Sequence, residues 1–425
     1  MTTPPTAEPA ATPPPEADKE RDNSKHKSFG IILRESFLEG NTFTITVLAL
    51  VTATVLGGIL CAFTNSAVLH APTAGAMISR AWDVASGTYV ALFEGSVFNP
   101  HTVAELFQQA SLPTAIHDGY LSAVFQPLSE TAVQATPLIL TGLAVALPYQ
   151  AGLFNIGGQG QFIGGAILAA WLGYDLSLPF FVHVVVCVIG GFVGGAVIGW
   201  LTGEIKARTG AHEVIVTIML NYVAFYLVFY ALSEQNLLQA PGSANPKSLP
   251  MKESVVLPKL FGDRYNLHLG FLLALIAVAV VWWILNRSSL GFRIRAVGEN
   301  PAAARSAGID VGRTYIVVML ISGGLVGLAG VNQVLGTVTS GITVDLDASI
   351  GFDAITVALL GRSKPLGILA AGLLFGAFKA GGFAMQASEN IPVDIVLVVQ
   401  SLIVLFIAAP PLIRAIFRLP TREAQ

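Results

Sequence analysis

Residues 131–174 contain no Asp, Glu, Lys, Arg or His. As a single helix these 44 residues would extend about 66 Å, twice the roughly 30 Å hydrocarbon core of a bilayer. Two membrane spans must therefore fold back within the stretch. The break falls around Pro148 to Gly160, where LPYQAGLFNIGGQG combines a proline with four glycines. Further apolar runs at 42–63, 177–203, 211–233, 268–286, 314–336, 350–361, 365–384 and 392–411 bring the total to ten, the 350–361 run being short enough to be re-entrant. The predicted fold is an all-α polytopic membrane protein of about ten transmembrane helices with a glycine-rich broken-helix region.

Only 12% of the 425 residues are charged, about half the share of a soluble chain, so lipid solvates most of the surface. A net charge of −3 gives no basic footprint for nucleic acid. Cys61 and Cys187 each sit in an apolar run, as small buried hydrophobes rather than as a disulfide or metal pair. Residues 1–28 hold six prolines in their first fifteen positions and then a charged run, a composition that buries no core and reads as a disordered tail. The remaining organisation is a membrane domain over 29–414, with an outer segment at 64–125, an outer loop at 234–267 and an inner loop at 287–313, followed by a tail at 415–425.

Sorting the 23 Lys and Arg residues along ten crossings, with the N-terminus inside, puts 17 on inner segments and five on outer ones. Lys379 is left within a span. That bias follows the positive-inside rule and predicts two cytoplasmic termini. Glycines spaced by four, as in Gly191, Gly195, Gly199 and in Gly323, Gly327, predict closely packed helices.

Within the inner loop, Asn300 is an N-cap residue type, Pro301 suits the first helical position, and Gly308 suits the position after the last turn. Ala302, Ala303, Ala304 and Arg305 between them favour helix. A helix so short is unstable alone, and such clearly marked ends suggest docking against something; an ordinary capped loop helix is the plainer reading.

Segment 291–308, GFRIRAVGENPAAARSAG, resembles the coupling-helix region of permeases in the ribose, branched-chain amino acid and nucleoside importer superfamily. GLFNIGGQGQFIGGA at 152–166 resembles the signature of its nucleoside (simple sugar) branch. TGAHEVIVTIMLNY at 209–222 and GFDAITVALLGRSKPLGILAAGLLFGAFKAGG at 351–382 extend the likeness over about 130–410. The resemblance implies the permease subunit of an ATP-binding-cassette importer, with Asn300 to Gly308 as a cytoplasmic coupling helix set in a cleft of a separate ATPase subunit. That ATPase would bind ATP and Mg, with no cofactor held in this chain. It implies further partners: a second homologous permease, expected to differ from this one, and an extracytoplasmic substrate-binding lipoprotein. Gln159 departs from the pattern, since this branch usually has a glutamate there.

Unwound glycine-rich backbone at membrane depth is tolerated where protein or a water-filled cavity satisfies it. Phe154, Asn155, Gln159 and Gln161 are therefore candidates for the solute path. Phe154 could stack on a flat ring, although packing is the commoner role of a lone aromatic. Asn221 and the pair Asn332, Gln333 either line the path or serve as interhelical glue, and the residues alone leave both open. Asp353 is placed toward the outer surface, and Lys379 is expected to snorkel outward.

A nucleoside is the favoured solute, a monosaccharide the alternative, and a branched-chain amino acid third. An ion-coupled secondary transporter needs intramembrane ion sites, for which Asp353 is nearly the sole candidate. An intramembrane enzyme needs more than the isolated His183. No G-x-x-x-x-G-K-[ST] loop occurs in the chain, so energy is expected from a partner.

Overall fold

The computed structural model describes residues 42–100, 102, 104, 120–389, 392 and 394–418. The proline-rich segment 1–28 and most of the tail at 415–425 lie outside the described residues. Every named element is helical: α1 Thr42–Thr64, α2 Ala74–Ser96, α3 Tyr120–Tyr149, α4 Gly158–Asp175, α5 Phe180–Thr209, α6 Glu213–Ser233 and α7 Gly270–Arg287. After these come α8 Ser289–Glu299, α9 Pro301–Ser306, α10 Val311–Asn332, α11 Ile350–Leu360, α12 Pro365–Glu389, α13 Asp394–Ala408 and α14 Pro410–Ile416. Among the described residues seven helices are long and apolar enough to cross a membrane, and α11 and part of α13 are shorter apolar helices. The 18-residue α4, α11 and α13 fall on the other three of the ten apolar runs expected.

The two faces of the bundle differ in charge. On one, Gln150 Nε2 donates to Ser363 O at 3.4 Å, the backbones at Gly152 and Gly298 touch, and Ala207 approaches Gly312. This basic face carries Lys206, Arg208, Arg293, Arg295, Arg305, Arg362 and Lys364. On the opposite face the 234–267 loop closes over the helix ends. There Lys252 Nζ donates to Leu176 O at 2.8 Å, and Met251 N donates to Thr339 O at 2.9 Å. His183, buried in α5, bonds Ser254 Oγ of this loop at 2.9 Å and Leu172 O at 3.0 Å. Segment 64–125 carries α2, which is too polar to stand out by hydropathy. Gly95 and Leu92 of α2 press on Ala384 and Gly381 of α12.

Two units of the same plan build the centre. In each, a long helix leads into a non-helical stretch and then a shorter helix, followed by a helix that packs on the other unit. The first unit is α3, 150–157, α4 and α5; the second is α10, 338–349, α11 and α12. Helix α5 packs on α10, and α12 packs on α3. The two units run in opposite senses, an inverted repeat of the kind found in transporters.

Contact between the units depends on glycine at the α5–α10 crossing. A Cβ at Gly195 would collide with the Gly323 carbonyl, and one at Gly323 would lie 3.0 Å from both Gly199 Cα and Gly199 N. Apolar burial drives little helix association in lipid, so this close backbone approach has to supply packing contact. Gly323→Val is expected to destabilise the bundle by about 1–3 kcal/mol or more, seen as loss of the monodisperse peak on gel filtration in detergent. Gly312→Ala is the control, because its Cβ would meet Ala207 Cβ at an ordinary 3.5 Å.

Candidate functional site

The shorter helices of the two units meet at their first turns. Helix α11 has 11 residues and rises about 16 Å, roughly half the hydrocarbon thickness. Its first turn meets the first turn of α4 backbone to backbone: a Cβ at Gly158 would stand 2.9 Å from Gly351 O, and one at Gly351 would stand 2.5 Å from Gln159 N. Ala348 and Ser349, leading into α11, have φ of 42° and 63°, a left-handed conformation that non-glycine residues seldom adopt.

Side chains from α4, α6 and α10 satisfy the break at 150–157. Asn155 Nδ2 donates to Gln161 Oε1 at 2.9 Å and to Ser322 Oγ at 2.8 Å. Asn155 Oδ1 accepts from Gly157 N at 2.9 Å and Gln161 Nε2 at 3.3 Å. Ser322 Oγ in turn donates to Ala144 O of α3. Asn221 of α6 accepts from Gly160 N at 2.8 Å and donates to Ile156 O at 2.9 Å. Phe154 N donates to Glu213 Oε1 at 3.4 Å, and Lys206 pairs with Glu213 at 2.9 Å. Asn155, Gln161 and Asn221 are thus buried and bonded to the chain itself, replacing the helical hydrogen bonds that the break removes.

Gln159 is different. It is half-buried, and its Nε2 donates to Asp347 Oδ1 at 3.3 Å. Asp347 is only 5% exposed, and its Oδ2 has no hydrogen-bond partner among the described residues. Phe154 is half-buried and meets Tyr149 edge to face at 6.3 Å. Asn332 lies away from this group, fully buried against Gly270, with neither amide atom partnered among the described residues. Gln333 opens a π-helical turn, Gln333–Thr337.

Two placements correct the sequence reading. Lys379 does not snorkel outward and Asp353 does not turn to the outer surface; Lys379 Nζ and Asp353 Oδ2 pair at 2.7 Å between α12 and α11, both largely buried. Each offsets the other's desolvation. Asp347 carried no signal in the hydropathy pattern, because it lies in a non-helical stretch between runs, and Ser322 was one small residue among glycines.

On the basic face, the ends of α9 are marked as expected. Asn300 Oδ1 accepts from Ala302 N and Ala303 N, both at 3.0 Å, and Pro301 occupies the first turn. Gly308 takes φ 81°, and Ile309 N donates to Ala304 O at 3.0 Å. Ala304 is turned inward against Val297 and Val311, so it presents no surface to a partner. Pro301, Ala302, Ala303, Arg305 and Gly308 are exposed.

The family described as branched-chain amino acid transport system / permease component matches residues 128–408. The chain is 38% identical to the guanosine ABC transporter permease protein NupP of Bacillus subtilis, over 72% of this chain and 88% of that one. It is 36% identical to the nucleoside ABC transporter permease protein NupB of Lactococcus lactis, over 68% and 82%. With the glucose ABC transporter permease protein TsgB13 of Haloferax volcanii it shares 33% identity over 66% and 75%. A second permease from each of these organisms is less similar, at 27% or 28%. No solved structure matches the chain. The span of the family match and the likeness to NupP and NupB show that the chain belongs to this permease family and is a membrane-spanning ABC transporter permease.

Proposed function

We propose that this permease carries a nucleoside into the cell, driven by a separate ATPase that docks on Asn300 to Gly308. The observation that carries the reading is α9, a six-residue helix capped at both ends whose alanine side is left open on the basic face. In this reading the basic face is cytoplasmic, as the positive-inside rule requires, and both termini lie on that side. The ATPase supplies the ATP and Mg site. The second permease is a different chain, consistent with the two unequal relatives in each of three organisms. A substrate-binding lipoprotein delivers the solute on the opposite face.

The solute path is assigned to the meeting point of α4 and α11. Gln159 offers an amide and Phe154, five residues earlier, an aromatic face, groups that suit a flat base as well as hydroxyl groups. Asp347 supplies a carboxylate oxygen with no partner among the described residues, an acceptor for a ribose hydroxyl or a base N–H. Asn155, Gln161 and Asn221 hold the backbone that positions these groups, while Asn332 and Gln333 belong to helix packing.

Uptake of labelled guanosine, uridine, glucose and ribose by cells with and without the chain tests this reading. Nucleoside uptake is expected to be lost with the chain while sugar uptake is unchanged; the reverse pattern overturns the nucleoside assignment. The site is tested by Gln159→Glu, which sets a second carboxylate beside Asp347 in place of the amide donor. Two carboxylates at that distance do not both ionise readily, so the pair retains a proton. Uptake by Gln159→Glu should fall as pH rises and both groups are driven to ionise, with the parent less affected. An unchanged pH profile removes Asp347 from the path.

A further inference from the structure

At the membrane boundary of the basic face, a cleft of about 560 Å³ opens between the α7–α8 corner and the α11–α12 turn. Its polar lining includes Arg295, Arg362 and Lys364, and its apolar lining includes Trp282, Leu360 and Leu366. No carboxylate is among the lining residues, and none of the three cations forms an ion pair among the described residues. Arg295 spends one N–H on Leu285 O, which ties α8 to the end of α7 and leaves its other donors uncommitted.

The two kinds of lining residue come from different heights. Trp282 lies in the last turns of α7, before Arg287, and it is 41% exposed. Leu366, at the start of α12, is 64% exposed. Aromatic and long apolar groups at that level belong to the interfacial belt where acyl chains meet headgroups. The cations lie on the α8 and α11–α12 segments beyond it. Arg362 and Ser363 both adopt left-handed backbone, with φ of 52° and 51°, and the turn is tied by Ser363 N to Ala358 O at 2.9 Å and by Gln150 to Ser363 O. The cationic turn is thereby held next to the apolar wall.

We propose that this cleft binds an anionic glycerophospholipid, its phosphate held by Arg362, Lys364 and Arg295 and its acyl chains lying along Trp282 and Leu366. Cationic pockets between membrane helices on the basic side recognise such headgroups by charge. An apolar wall continuous with the charged end favours a lipid over free phosphate, which has no use for it. A soluble acidic partner would likewise gain nothing from exposed Trp282 and Leu366 at bilayer height. The site is separate from α9 and from the α4–α11 meeting point, so the inference does not depend on which solute is carried.

The test uses the purified full-length chain in detergent, titrated with phosphatidylglycerol, with phosphatidylcholine or with inorganic phosphate. Bound lipid is counted by native mass spectrometry and unfolding is followed by heating. Phosphatidylglycerol is expected to bind at one saturable site and raise the melting temperature, with phosphatidylcholine and phosphate doing neither. In Arg362→Gln/Lys364→Gln the preference for phosphatidylglycerol over phosphatidylcholine should fall roughly 30-fold, from about 1 kcal/mol per cation. Both side chains are exposed, so the melting temperature in phosphatidylcholine should match the parent and show that the fold is intact. Three outcomes overturn the proposal: an unchanged preference in the double variant, an equal effect of phosphate alone, or loss of ATPase copurification in the double variant with lipid binding retained.

Discussion

Ala303→Asp is expected to assemble into the membrane normally and fail to retain the ATPase. Ala303 is exposed, and its own N–H is held by the Asn300 cap at 3.0 Å. An aspartate in this first turn suits the helix dipole and costs the helix under about 1 kcal/mol in propensity. The effect therefore falls on the docked complex. An unpaired carboxylate at a buried contact costs about 3–5 kcal/mol, a loss of more than a hundredfold in association. Copurified ATPase and solute-stimulated hydrolysis should both drop to background in reconstituted membranes. Asn300→Ala, which removes only the cap, costs about 0.5–2 kcal/mol in helix stability and should weaken coupling without abolishing it. Normal assembly and transport by Ala303→Asp would reduce α9 to a loop helix.

The same helix shows where sequence reasoning stops. Its ends were legible because N-cap, N1 proline and C-terminal glycine are local devices, each requiring only neighbouring residues. Ala302, Ala303 and Ala304 are indistinguishable by type, and only packing on Val297 and Val311 reveals that Ala304 faces inward. The spans were legible for a similar reason, since a 44-residue stretch without charge leaves few ways to satisfy backbone in lipid. Helix α2 was not, because its side chains are too polar for the hydropathy signal and it is held by contact with α1 and α12.

Charge pairing across the bundle was also beyond the sequence. Asp353 and Lys379 are remote in the chain and each, taken alone, is an expensive intramembrane charge; together at 2.7 Å they are a pair between adjacent helices. Asp347 was hidden in the opposite way, in a stretch that is neither span nor recognisable motif. The departure at 159 gains a physical setting from it. An amide can donate to Asp347, whereas a glutamate there would need a proton of its own.

Asn155→Leu and Gln159→Leu are expected to separate structure from transport, though four residues apart in one motif. Asn155 is 1% exposed and joins Gly157 N, Gln161 and Ser322. Leucine fits its volume but orphans those partners, each at about 1–3 kcal/mol. The sum, about 3–9 kcal/mol, enters the range that single substitutions seldom reach. Asn155→Leu should therefore lose folded protein, read as a lower melting temperature and aggregation in detergent, and transport should fail as a consequence. Among the described residues Gln159 makes one side-chain bond, to Asp347 at 3.3 Å, and it is half-buried. Gln159→Leu orphans Asp347 Oδ1 alone, about 1–3 kcal/mol, so it should lower the melting temperature less than Asn155→Leu and still lose uptake, with the deficit present at saturating solute. If Asn155→Leu proves as stable as the parent, the hydrogen-bonded knot around the break does not hold the fold. If Gln159→Leu transports normally, the meeting point of α4 and α11 is packing rather than path.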